Sequence, residues 1–217
     1  MTLRLYSHPF ASFCQKVLIA LYENDTPFEA VLIDLANEAD RAELMRVWRV
    51  AKFPVLMDDG RQCSVPESSI IIEYLSRHYP GPVALLPPDP DLARETRLMD
   101  RFYDLYVSEP MQKIVGNRLR PPGHADVFGV EQARASLTTA YGMIEDQLGA
   151  KTWAMGDWFS LADCSAAPAL LYANVVHPLG DAHPRVAAYL RRLRERASFA
   201  RVLREAEPFW AIFPQEG

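Results

Sequence analysis

The sequence predicts a molecule in two parts, an α/β half over residues 1–80 and an all-helical half over residues 91–217. Three observations predict it. Strand and helix signals up to residue 80 follow the order β-α-β-α-β-β-α, five prolines crowd residues 80–90, and from Leu92 onward apolar residues recur only at helical spacing. A chain of 217 residues and 24.6 kDa that is 49% hydrophobic can bury the cores of one large domain or two small ones.

Leu3-Arg4-Leu5-Tyr6 alternates and stops at Ser7-His8-Pro9, so the first element is a short strand. A helix follows from about Phe13, where Val17, Leu18, Leu21 and Tyr22 recur at three and four residues until Asn24-Asp25-Thr26-Pro27 ends it. Phe28 to Ile33 is a second strand, and the polar stretch from Asp34 to Trp48 is a short or irregular helix. Pro54 to Met57 and Arg61 to Ser64 form a hairpin around Asp58-Asp59-Gly60, after which a helix through Leu75 is entered at Glu67-Ser68. Helices between parallel strands with a closing hairpin make a thioredoxin-like arrangement. Residues 81–90 are a stiff, proline-rich linker.

In the second half the pattern predicts helices over Leu92 to Val115, Val130 to Leu148, Leu161 to Val176, Arg185 to Arg196 and Phe199 to Ala206. Pro121-Pro122-Gly123 and Gly149 fall between them. Ser160 is placed to cap the third of these helices with Asp163 as its reciprocal partner, and Phe159 can staple against Cys164.

Charge and composition exclude several classes of function. A net charge of −5 and a pI near 5.6 leave no basic face for nucleic acid, and the arginines of residues 185–204 interleave with apolar residues as on a solvated helix face. No run approaches the ~18 apolar residues of a membrane span, and the opening residues lack an apolar signal region. The expectation is a cytoplasmic protein. Cys14, Cys63 and Cys164 are odd in number and widely spaced, as neither a disulfide framework nor a metal cluster would be.

Two features point to a ligand. A proline opening the strand Pro54-Val55-Leu56 belongs at a sheet edge or in a cis bond, which leaves the main chain of Phe53 free to pair with something else. The helix entered through Glu67-Ser68 presents unpaired N–H groups to a carboxylate, while the Glu67 side chain can hold an ammonium. Together they describe a receptor for an α-amino acid terminus next to an extended peptide. The alternative is a capping box in which Glu67 bonds the backbone of Ser64.

This pairing resembles the glutathione site of the cytosolic glutathione transferases, in which a cis-proline precedes a strand and Glu-Ser opens a helix. The Ser160–Asp163 capping box and its staple resemble those of the family's buried sixth helix, so the likeness spans the whole chain. It implies the glutathione transferase fold in its bacterial type, serine- or cysteine-like rather than of the tyrosine class. It also implies a cytoplasmic homodimer active in detoxification, with glutathione as co-substrate and an electrophilic, largely apolar small molecule as its partner. Under that likeness Glu67 and Ser68 take the γ-glutamyl amine and carboxylate, and Phe53, ahead of Pro54, pairs by its backbone with the cysteinyl unit. Lys52 takes the glycine carboxylate, unless it is a solvated lysine ahead of a strand.

A transferase must hold the thiolate of glutathione, whose free pKa is near the ~8.5 of cysteine, so a donor aimed at sulfur from the first βα turn is needed. The position where the family carries serine or cysteine falls on Ala11, which has no donor. Ser12 is the nearest hydroxyl and becomes the catalytic candidate, with a plain N-cap serine as the alternative. Cys14 keeps the spacing of the second cysteine in Cys-x-x-Cys and is either a thiol-transfer or isomerase residue or a buried small hydrophobe. His8 is a turn residue close enough to test. Phe10, Tyr103, Tyr106, Met111 and Trp210 form either an apolar substrate pocket or core. Because Ala11 lacks a donor, a second class stays open, a non-catalytic interaction protein on the same fold, like the stringent starvation protein type that binds RNA polymerase.

Overall fold

The computed structural model describes residues 2–214. Strands β1 (Leu3–Ser7), β2 (Glu29–Leu32), β3 (Val55–Asp58) and β4 (Cys63–Pro66) form one sheet in the order β2-β1-β3-β4. β1 and β2 are parallel, whereas β3 runs antiparallel to both β1 and β4. Helices α1 (Ser12–Glu23), α2 (Glu38–Val47) and α3 (Ser68–His78) complete the predicted order. The alternation in β1 divides its side chains: Leu3 and Leu5 join the main core with α1 and α3, and Tyr6 packs with Ile33, Leu44 and Val55 on the opposite face.

Two boundaries in this half differ from expectation. α2 is a regular helix because the Asn37 side chain accepts the amides of Ala39 and Asp40. β4 starts two residues later than the hairpin signal placed it, with Asp58 opposite Cys63. The cause is Asp58 itself, which is fully buried, accepts the Arg61 amide at 3.0 Å and receives the hydroxyls of Tyr74 and Tyr79, so the turn closes around its side chain.

The connection after α3 is pinned at several points. Asn24 accepts the Val83 amide at 2.8 Å, the Leu85 carbonyl accepts the Leu161 amide at 2.8 Å, and Leu85 is buried. Pro90, counted in the linker by its composition, is the first residue of α4 (Pro90–Phe102), where its missing N–H costs nothing. The remaining helices are α5 (Glu109–Arg118), α6 (Val127–Leu148), α7 (Leu161–Val176), α8 (Pro184–Glu195) and α9 (Ala197–Ala206). α7 is buried along almost its whole length and carries the predicted capping box, with Asp163 accepting the Ser160 amide at 2.8 Å.

The single helix expected over Leu92 to Val115 is two α-helices joined by a π-helical segment, Tyr103–Ser108. Pro110 lacks the N–H that would reach the Tyr106 carbonyl, and the backbone before it shifts to the wider register, with the Glu109 amide on the Asp104 carbonyl. Among the described residues no helix is long and apolar enough to cross a membrane.

Candidate functional site

The expected glutathione-binding residues meet in one cleft of about 550 Å³, lined by Lys52, Phe53, Pro54, Glu67 and Ser68 from the α/β half, whereas Ser12 is not among its lining residues and only its neighbour Phe13 reaches it. Arg101, Asp104 and Gln112 of the helical half form its other wall. The Phe53–Pro54 peptide is cis, and it brings the Phe53 main chain to the mouth of β3. Glu67 is the N-cap of α3 and Ser68 its first residue.

Glu67 is not the reciprocal member of a capping box. Its side chain makes no bond to the helix end, and Ser64 lies in β4 with its hydroxyl on the Val47 carbonyl at 3.2 Å. Glu67 instead holds a backbone φ of 70°, a conformation that costs a non-glycine residue free energy, and it lines the cleft. The first turn of α3 therefore has uncapped amides facing a cavity that also carries a lysine and a glutamate.

Behind Ser68 lies a charged cluster that sequence inspection missed. Lys16 of α1 is 1% exposed and sits 2.6 Å from Asp100 and 2.9 Å from Asp104, with Ser69 accepting from its ammonium at 2.9 Å. Ser165 of α7 donates to Asp100. Burial pushes the Asp104 carboxyl up, Lys16 opposes that shift, and the Asp100 charge adds to it. The cluster ties α1 and α3 to α4 and α7 beneath the cleft, and the π-helical segment brings Asp104 to its surface. Its sequence signal was Lys16 on the apolar face of α1 and two aspartates four residues apart, Asp100 on α4 and Asp104 in the π-helical segment, each of which reads singly as an interruption.

The turn before α1 is arranged differently from the cleft floor. Ala11 is the N-cap of α1 and offers no side-chain bond, Ser12 is the first helical residue and half-buried, and Phe13 lines the cleft. Cys14 has no exposed surface, and burial pushes its thiol up to about 12 against a hydrogen bond with the His8 backbone. It cannot meet a substrate disulfide. Tyr6, buried in the strand, accepts the Arg4 guanidinium on its hydroxyl at 3.1 Å. His8 accepts the Phe10 amide on Nδ1 at 3.2 Å, stacks on Phe53 at 6.5 Å and meets Phe209 edge-on.

The five apolar residues considered for a second substrate do not form one pocket. Tyr103 and Met111 are core, and Tyr106 is exposed on another face beside Leu98 and Phe102. Phe10 and Trp210 do meet, at 5.1 Å, in an aromatic wall with Tyr172 and Phe213.

Comparison with known proteins agrees with this fold. Residues 5–83 match the model of the glutathione S-transferase N-terminal domain, and residues 122–192 match that of the C-terminal domain. A glutathione S-transferase of Methylobacterium radiotolerans, solved in complex with glutathione sulfonate, is 31% identical with a TM-score of 0.79 over 93% of this chain and 94% of that one. The chain belongs to the glutathione S-transferase family. A stringent starvation protein A homolog of Coxiella burnetii is 30% identical over 94% of this chain and 92% of its own length. A probable maleylacetoacetate isomerase of Caenorhabditis elegans is 29% identical over 78% of each. Members with such different names share the fold, so the chemistry within the family is decided by the residues of the site.

Proposed function

We propose that this protein is a glutathione transferase that adds the glutathione thiolate to an electrophilic, largely apolar small molecule. The observation that carries the reading is the joint lining of one cleft by Lys52, the Phe53 main chain before a cis peptide, and Glu67 with Ser68 at a helix start. These groups match the parts of a γ-glutamyl tripeptide. Glu67 takes the ammonium, the Ser68 hydroxyl and the α3 amides take the α-carboxylate, Phe53 pairs with the cysteinyl backbone, and Lys52 takes the glycine carboxylate. Residues 1–80 then act as the glutathione-binding domain, and residues 91–217, beyond the 81–90 linker, supply the second wall.

The sulfur falls at the start of α1. There the Ser12 hydroxyl and the amides of the first turn favour the anion over the thiol, helped by the helix dipole. Attack by that thiolate forms the new carbon–sulfur bond, and either the leaving group departs with its bonding pair or, in an addition, the π pair shifts onto the adduct and takes a proton from water. The Phe10–Trp210 aromatic wall is the apolar surface for the electrophile. The assembly in this reading is a cytoplasmic homodimer formed through the exposed apolar side chains of α4 and α6, Leu98 and Met143 among them.

The test is a pH titration of the thiolate absorbance of bound glutathione in the wild type, Ser12→Ala and Cys14→Ala. One neutral donor is worth about 1 kcal/mol, so Ser12→Ala should raise the bound pKa by somewhat under one unit while Cys14→Ala leaves it alone. Unchanged values in both variants assign activation to backbone amides. A wild type that binds no glutathione overturns the reading and favours a non-catalytic interaction protein. That second reading draws on Ala11 at the helix cap and on the 30% identity to the stringent starvation protein A homolog.

A further inference from the structure

The β1–α1 turn is held by two side chains that the binding reading does not use. Gln15, fully buried on α1, donates from Nε2 to the Pro9 carbonyl at 2.9 Å and to the Tyr172 hydroxyl at 3.0 Å. Tyr172, on the buried helix α7, in turn donates to the Phe10 carbonyl at 2.8 Å. The amide orientation of Gln15 follows from these partners, because a flipped side chain would set Oε1 against the Pro9 carbonyl. In the observed orientation Oε1 is buried with no hydrogen-bond partner among the described residues. An apolar side chain would avoid that cost, so the two donated bonds are what the position supplies.

We infer that Gln15 and Tyr172 form a positioning clamp, by which the helical half fixes the Pro9 and Phe10 carbonyls and so aims the donors at the start of α1 onto the glutathione sulfur. The inference rests on the proposed glutathione site. The rest of the turn supports it. With Pro9 and Phe10 fixed, the Ala11 amide closes on the His8 carbonyl at 3.0 Å and the Phe10 amide on His8 Nδ1 at 3.2 Å. Ala11 brings no side-chain cap, and its carbonyl accepts the Gln15 amide at 2.9 Å, so the Ser12 and Phe13 amides keep the direction of the helix itself. What the clamp adds is the path of the chain into that helix start, since Pro9 and Phe10 lead directly into Ala11. The strut behind Tyr172 is firm, since α7 starts in a capping box whose Asp163 also accepts the Tyr189 hydroxyl at 2.6 Å.

The clamp separates two properties that an ordinary core residue would affect together. Glu67, Ser68 and Lys52 hold the ends of the tripeptide on other elements, so loosening the turn should change the acidity of the thiol and spare the affinity for the protonated form. Tyr172→Phe removes the hydroxyl and keeps the ring against Phe10, 5.5 Å away, and Trp210, 5.7 Å away. The experiment measures the thiol pKa of bound glutathione by absorbance and its Kd by calorimetry well below that pKa. The variants are Tyr172→Phe, Gln15→Leu and the double mutant, with Leu137→Ala as a core control, since Leu137 lies fully buried on α6.

The expected result is a bound-thiol pKa raised by about half a unit to one unit in each single variant, and no further in the double mutant because both act through one network. Kd of the protonated form should stay within about threefold of wild type, a change too small for the loss of a direct ligand contact. Leu137→Ala should lower the thermal midpoint and leave the pKa unmoved. Wild-type binding with an unmoved pKa in Tyr172→Phe overturns the clamp alone, as does a pKa shift of the same size in Leu137→Ala. Absence of wild-type binding overturns the clamp together with the site on which it rests.

Discussion

Replacing Glu67 tests the site where backbone and side chain both bear on function. In the structure Glu67 lines the cleft and its side chain makes no bond to the α3 end, while its φ of 70° is a conformation that only glycine adopts freely. The side chain is assigned to an ammonium, and losing one partner of a charge-assisted hydrogen bond costs about 1.5–3 kcal/mol, or roughly 10- to 150-fold in Kd. The backbone predicts the opposite sign for stability. A strained non-glycine residue costs on the order of 1–3 kcal/mol and glycine gives back about 1 kcal/mol through the freer unfolded chain, so Glu67→Gly should match or exceed the wild type in stability. For a chain of 217 residues that is a thermal midpoint unchanged or raised by a few degrees. Calorimetric titration of glutathione and a thermal scan on Glu67→Gly and Glu67→Ala decide the matter. Glu67→Gly should lose at least tenfold in affinity at undiminished stability, and Glu67→Ala should lose as much and be the less stable of the two. Glutathione affinity unchanged in Glu67→Gly would refute the assignment of the carboxylate. A Glu67→Gly protein much less stable than wild type would refute the strain argument.

Lys16→Met leaves Asp100 buried without its cation and Asp104 with only the exposed Arg101 at 3.6 Å, and losing a buried partner typically costs about 3–5 kcal/mol. Chemical denaturation should show that loss, and the deficit should shrink at acid pH, where Asp104, already pushed up by burial, takes a proton and sheds its charge. His8 carries the site's response to acid. Burial, only partly opposed by Asp34, lowers its pKa below the ordinary value of about 6.5, so the unfolded chain binds the proton more readily and stability is lost as pH falls below that value. Protonation of Nδ1 also breaks the bond from the Phe10 amide. Thermal midpoints recorded between roughly pH 7 and 5 should fall less in His8→Asn than in the wild type, and an identical slope would count against His8 as the group responsible.

Much of this molecule is written locally in its sequence. The period of two in Leu3 to Tyr6, the period near 3.6 in α1, α6 and α7, and the breaks at Asn24, Pro121 and Gly149 each depend only on neighbouring residues, so the element order was legible without a structure. The same holds for the helix start at Ser68 and the Ser160–Asp163 box, whose partners lie within three residues of one another, whereas Pro54 read equally as a sheet-edge residue or a cis bond until the structure showed it cis just ahead of an interior strand. Tertiary structure decided everything that depends on residues far apart. Gln15 meets Tyr172 across 157 positions and Lys16 meets Asp104 across 88, and no local pattern distinguishes such polar residues from interruptions of an apolar face. The break that Pro110 makes in the helix over Leu92 to Val115 is also local, since it follows from a missing N–H. Tertiary structure decided which of two local readings prevailed at two places: the turn around buried Asp58 displaced β4, and the Glu67 backbone excluded the capping box. Local preferences differ by about 1 kcal/mol or less, whereas burying a charge or an unpaired amide costs several, so packing chooses among conformations that the sequence leaves nearly equal.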